Sequence, residues 1–123
     1  MGKINSKAKG RSGELEVAHI LQDHGYEARR TNQYCGSTGD ASDVVGMVGV
    51  HLEVKRAEKS MLYPWMAQAI RDASANPNKP KPVVVHRQSR QEWLAIMRFE
   101  DFIEMHKKLL AYEKALGIDS TTT

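Results

Sequence analysis

Residues 43–56 read DVVGMVGVHLEVKR, and the pattern of this stretch decides the fold. From Val50 to Lys55 the residues alternate: Val50, Leu52 and Val54 against His51, Glu53 and Lys55. A period of two puts the aliphatics on one face of a strand and the three polar groups on the other. Asp43 to Met47 supplies a second arm, with Gly46 and Gly49 bounding the turn between them. The expectation is a β-hairpin with Asp43 at the mouth of one arm and Glu53 and Lys55 within the other.

Working outward toward the N-terminus, a helix is expected from Ser12 to His24. Ser12 caps it, Leu15, Ala18 and Leu21 form its apolar stripe, and Gly25 stops it. A short strand from Tyr26 to Thr31 follows, with Tyr26 and Ala28 inward, and then a turn-rich segment from Asn32 to Ser42. On the other side, a helix is expected from Tyr63 to Ala75, with Pro64 in its first turn and Asn76-Pro77 at its end. Pro80 and Pro82 stiffen the approach to a strand at Val83–His86, and Gln91–Met97 reads as another. A last helix from Phe99 to Leu116 carries Phe99, Phe102, Ile103, His106, Leu109 and Leu110 on its expected inner face, and Gly117 ends it. This order implies an α/β sandwich, a small mixed β-sheet flanked by helices. Residues 12–117 form one expected domain, preceded by a flexible basic arm, 1–11, and followed by a flexible tail, 118–123.

A chain of 123 residues is long enough to bury its own core. Its net charge of +3 is unevenly placed. Lys3, Lys7, Lys9 and Arg11 occur with no acid among residues 1–11, and Lys79, Lys81, Arg87 and Arg90 with none among 76–91. Such stretches suit a polyanion, because phosphate contacts release counterions, and they equally suit a solubilising surface. The single cysteine, Cys35, excludes an internal disulfide and a cysteine-rich zinc site. No apolar run approaches the ~20 residues that span a bilayer, and the first residues lack the apolar stretch of a secretory leader, so the cytoplasm is the default setting.

The chemistry is concentrated in the hairpin. Asp43 and Glu53 converge across it, and two carboxylates at one point repel unless a cation lies between them. Hard oxygen donors favour Mg²⁺, or Mn²⁺ in its place, over zinc, and the Val54 carbonyl offers a further oxygen. Lys55 beside such an ion can orient a water or stabilise developing charge during phosphodiester hydrolysis. The plain alternative is a surface hairpin on which Glu53 and Lys55 form an ordinary ion pair.

The order of these parts resembles the PD-(D/E)xK nuclease superfamily, and within it the archaeal-type and phage Holliday junction resolvases. The resemblance rests on Lys9, Gly10 and Glu14 at the first helix, Gly25-Tyr26 at its end, and Arg30 in the next strand. It continues through the loop Gly36-Ser37-Thr38-Gly39, then Asp43, then Glu53-Val54-Lys55, with Gln68 on the following helix. Ser42 stands where the superfamily's name has a proline, and the loop does not match the archaeal pattern residue for residue. The resemblance implies a restriction-endonuclease-like sandwich with Asp43, Glu53 and Val54 holding the metal and Glu14, Asp43, Glu53 and Lys55 catalytic. It implies DNA contacts from Arg30, Ser37 and Gln68, which the basic residues Lys7, Lys9 and Arg11 extend; read as a residue, Gln68 is a polar surface group of its helix or a partner of Lys55.

Read simply as residues, Glu14 and Glu16 fit solvated acids favoured by the helix dipole, and the resemblance selects Glu14. His51 is expected at the rim of the site; His19, His24, His86 and His106 show no ligand spacing. Trp65 and Trp93 read as core or interface residues rather than platforms for bases. The resemblance implies cleavage of branched DNA by a homodimer, since two symmetric cuts need two sites. A nicking or restriction-like phage nuclease and a non-catalytic DNA-binding module of the same fold are the alternatives.

Overall fold

In a computed structural model, residues 6–31 and 43–118 are described. Lys3, Cys35, Ser37 with the rest of the Gly/Ser loop, Ser42, residues 119–123 and the side chain of Lys7 lie outside them. Among the described residues three helices, α1 (Ser6–Asp23), α2 (Leu62–Ala75) and α3 (Phe99–Ala115), accompany five strands. The strands are β1 (Arg29–Arg30), β2 (Val44–Val45), β3 (Val50–Arg56), β4 (Lys81–Arg87) and β5 (Leu94–Met97), and they lie in sequence order across one mixed sheet. The β3–β4 pair is parallel and the other three are antiparallel, so α2 forms the crossover. This is the expected α/β sandwich.

The hairpin forms as its alternation requires. Val44 pairs with Leu52, and Gly46 and Gly49 take positive φ of 116° and 84°. At Gly46 a Cβ would lie 2.4 Å from the Glu27 carbonyl oxygen, so only glycine fits there. Val44, Leu52, Val54 and Val83 pack with Val17, Ala18 and Ala28 beneath α1. The opposite face of β3 and β4, with His51, Glu53, Val84 and His86, lies under α2.

Several boundaries differ from expectation. Helix α1 begins at Ser6 rather than Ser12, because Lys7-Ala8-Lys9 are good helix formers and Lys9 Nζ is held 2.8 Å from Glu58. Half of the expected basic arm is therefore helix. Strand β1 is shorter than Tyr26–Thr31, and Tyr26 is exposed where an inward position was expected. Strand β4 takes in Pro82. Lys81 N–H donates to the Gly49 carbonyl on the β3 side, so the Pro82 nitrogen faces the other edge. There β5 has already ended, its pairing with β4 covering Val83–His86, so the missing N–H costs no ladder bond.

The largest departure is α3. Its bounds match expectation, and Gly117 ends it with φ 77°. Yet its expected inner face is outside: Phe99, Phe102, Leu109 and Leu110 are exposed, and the helix's buried residue is Asp101. Asp101 is held by Arg98 at 2.9 Å and Lys81 at 3.6 Å, and Lys81 also pairs with Glu104. The helix is tied down by charges at its first turns rather than by an apolar face. Between α1, the sheet and α3 runs an apolar groove of about 530 Å³, lined among others by Ile20, Leu21, Val50, Val83, Val85 and Met105.

Candidate active site

Strand β3 presents His51, Glu53 and Lys55 toward α2, and α2 answers with two residues one turn apart. Lys55 Nζ donates to Gln68 Oε1 at 3.0 Å, and Asp72 lies over the His51 end. Glu53 sits between them, 2% exposed, with Oε1 at 3.3 Å from His51 Nε2 and Oε2 at 3.6 Å from Lys55 Nζ.

Asp43 enters from β2. Its N–H donates to the Leu52 carbonyl at 3.1 Å, and its Oδ2 accepts the Val54 N–H at 2.8 Å. In an extended strand the N–H and C=O of one residue point to the same edge, so the Val54 carbonyl faces the edge where Asp43 lies. Thr31 fixes the Asp43 backbone from the far side: its N–H at 3.0 Å and its hydroxyl at 3.2 Å both donate to the Asp43 carbonyl. Burial, and then the charge of Glu53, push the Asp43 carboxyl up to about 8; Glu14 adds to this, while the Val54 N–H and Lys55 oppose it.

Glu14 reaches this cluster because α1 comes close to the sheet. A Cβ on Gly13 would stand 2.7 Å from Arg56 Cβ, so the glycine permits the approach. Glu14 is 7% exposed and accepts from Arg30 Nε at 2.6 Å. The structure thus brings Glu14, Asp43, Glu53, Lys55 and Gln68 together, with Arg30 alongside through Glu14.

Other expected site residues lie elsewhere. Lys9 is bound to Glu58, which also takes Arg56 at 2.7 Å and the Ser89 N–H at 2.9 Å. Those donors, Lys9 first, hold the Glu58 carboxyl well below the usual carboxylate range. Arg11 is exposed on α1.

His51 corrects the expectation of a rim residue: it is 2% exposed, because α2 covers the polar face of β3 and β4 extends the sheet beneath it. His86 is likewise buried; its Nδ1–H donates to the Lys55 carbonyl at 2.8 Å, and its ring meets Trp65 at 4.7 Å. His86 thus fastens the Lys55 backbone, and His51 lies against Glu53. Sequence reasoning passed over Thr31 and Asp72. Asp72 carried a signal, its four-residue spacing from Gln68, which puts both on one helix face. Nothing in the sequence near Thr31 points across to Asp43.

Residues 5–122 match the family described as "Phage putative PDDEXK endonuclease". The chain belongs to this family. No curated protein and no solved structure matches it. As a PD-(D/E)xK nuclease it is expected to act on nucleic-acid phosphodiesters, and nucleases of this superfamily typically use divalent metals. The residues present fit such an ion. Asp43 and Glu53 are hard oxygen donors, and burial, followed by the Glu53 charge, makes an ionised Asp43 costly, which a dication relieves. No helix among the described residues of this phage-type nuclease is long and apolar enough to cross a membrane.

Proposed function

We propose that the chain is a Mg²⁺-dependent endonuclease that cuts branched DNA, such as a four-way junction, and that it acts as a homodimer. The observation that carries metal-dependent hydrolysis is the buried pairing of Asp43 with Glu53 beside the Lys55 ammonium. In this reading Asp43, Glu53 and the Val54 carbonyl hold the ion. When bound, Mg²⁺, for which Mn²⁺ can substitute, supplies a water of lowered pKa and positive charge at the phosphate oxygens. Gln68 and Glu53 fix Lys55 Nζ, which then orients the attacking water and stabilises charge on the phosphate. Glu14 adds a carboxylate at the metal side and holds Arg30 for a phosphate contact. Arg11, Lys7 and Lys9 on α1 and Ser37 extend the DNA contact, Lys9 on release from Glu58.

The homodimer is supported by α3. Phe102, Met105, Leu109, Tyr112 and Leu116 recur at steps of three and four, the spacing of a helix-pairing seam, and all five are exposed. The first half of α3 carries Glu100, Asp101 and Glu104, and the second half Lys107, Lys108 and Lys114 beside Glu113. Two copies packed antiparallel therefore set acidic halves against basic ones about a two-fold axis. The junction as substrate follows from the resemblance to resolvases and from that symmetry.

The test is incubation with a synthetic four-way junction and a linear duplex, with and without Mg²⁺. Symmetric cuts in the junction alone, dependent on metal, are expected. Equal cutting of both substrates sinks the junction assignment, and cutting in the presence of a chelator sinks the metal.

A further inference from the structure

The polar face of β3 carries more ligating groups than Asp43, Glu53 and Val54 account for. One ligand atom each from His51, Glu53 and Asp72 lies within 4.8 Å of the other two. His51 and Glu53 are each 2% exposed, and Asp72 is half-buried on α2 above them. Glu53 faces two ways: Oε1 toward His51 and Oε2 toward Lys55. The Lys55 ammonium is therefore on the far side of Glu53 from Nε2 of His51, and its own second contact is Gln68.

We propose that His51, Glu53 and Asp72 form a second divalent-cation position, sharing Glu53 with the position at Asp43, and that it takes Mn²⁺ in preference to Mg²⁺. The proposal rests on the metal-dependent reading above and adds to it a second ion with its own ligands. Two carboxylates flanking a buried imidazole make a compact donor set of net negative charge, which a dication neutralises. The His51–Glu53 separation of 3.3 Å suits neighbouring ligands on one ion at ordinary metal–ligand distances. The nitrogen decides the selectivity: Mg²⁺ favours all-oxygen shells with retained water, whereas imidazole favours transition ions. A shared carboxylate is also how two ions come to lie roughly 3.5–4 Å apart in two-metal phosphodiester sites.

The competing account is a hydrogen-bonded chain in which Asp72 and His51 merely position Glu53, and counting ions separates the two. Mn²⁺ binding to the full chain is followed by the loss of the free-ion electron paramagnetic resonance signal, with Mg²⁺ as competitor. The wild type is expected to bind two Mn²⁺ per chain, one of which Mg²⁺ displaces readily. Asp72→Asn should bind one, the Mg²⁺-exchangeable ion, and His51→Gln should do the same, so that a folding failure of either variant leaves the other to report. Native circular dichroism in a chelator qualifies each variant. A wild type that binds one Mn²⁺, or an Asp72→Asn that still binds two, overturns the second position. If that one ion is lost in Asp43→Asn, the metal-dependent reading stands without it; a wild type that binds none overturns both.

Discussion

Beneath α2, Glu53, His51 and His86 are almost fully buried in a sheet face whose polar groups are met by other elements. Across the same sheet, α1 covers the β1–β3 side and leaves Val83 and Val85 beside an open apolar groove. Among the described residues no buried side-chain nitrogen or oxygen lacks a partner. The buried polar groups are thus met by hydrogen bonds within one chain, while the apolar face keeps an open groove beside the exposed apolar stripe of α3. Unpaired buried polar groups cost more than exposed apolar ones, so a sheet face that carries His51 and Glu53 has to be met by partners while an apolar groove can stay open.

Breaking the polar face should have the largest effect. Asp43→Asn and Glu53→Gln are expected to lower single-turnover cleavage by at least about 10³-fold, beyond the loss of one charge-stabilising group, while DNA binding and oligomeric state persist. Either variant cutting at the wild-type rate would remove these residues from the site. Breaking the apolar face comes next. Leu109→Glu sits mid-seam and should weaken self-association by roughly 30-fold or more, the ~2 kcal/mol of a central interface residue. Leu109 is 51% exposed in the chain, so the variant's fold should survive. Sedimentation unchanged across a concentration series would mean that α3 pairs with nothing.

A third test sharpens the contrast through pH. The folded chain keeps the Asp43 proton up to about 8, whereas the ordinary carboxylate value is 3.8. The stability this provides is full below about pH 4 and is lost as pH rises toward 8. In a chelator, Asp43→Asn should therefore melt about 5 °C above the wild type at pH 8 and level with it at pH 4. A scanning-fluorimetry gap that widens toward acid would reverse the assignment. The smallest effect is expected at Lys9→Ala, because the Glu58 pair that Lys9 gives up on release offsets the phosphate contact it gains: DNA affinity should change by less than about twofold at moderate salt.

The hairpin was legible because its pattern is local, although its first arm is Val44–Val45 rather than the expected Asp43–Met47. Alternation from Val50 to Lys55 and the two glycines state the strand, its faces and the turn. Glu53 and Lys55 on one face followed from this, and the meeting with Asp43 followed from the turn. The depth of His51 did not, since alternation names a face without saying what covers it, and the cover is a helix that begins at Leu62. The same limit reversed α3. Its apolar spacing fixed the helix and its end, but a stripe of Phe102, Leu109 and Leu110 reads alike whether a sheet or a second chain lies against it. The start of α1 was missed because the Lys9–Glu58 contact joins residues far apart in the sequence.

Two hydrogen bonds from Thr31 to the Asp43 carbonyl fasten the chain on either side of residues 32–42. Such a clasp decouples what runs between its ends from what lies beyond them. Closing a longer span costs only about 0.6 kcal/mol per doubling of length. A change of chain length between Thr31 and Asp43 would accordingly cost little, and the acid at position 43 would keep its register.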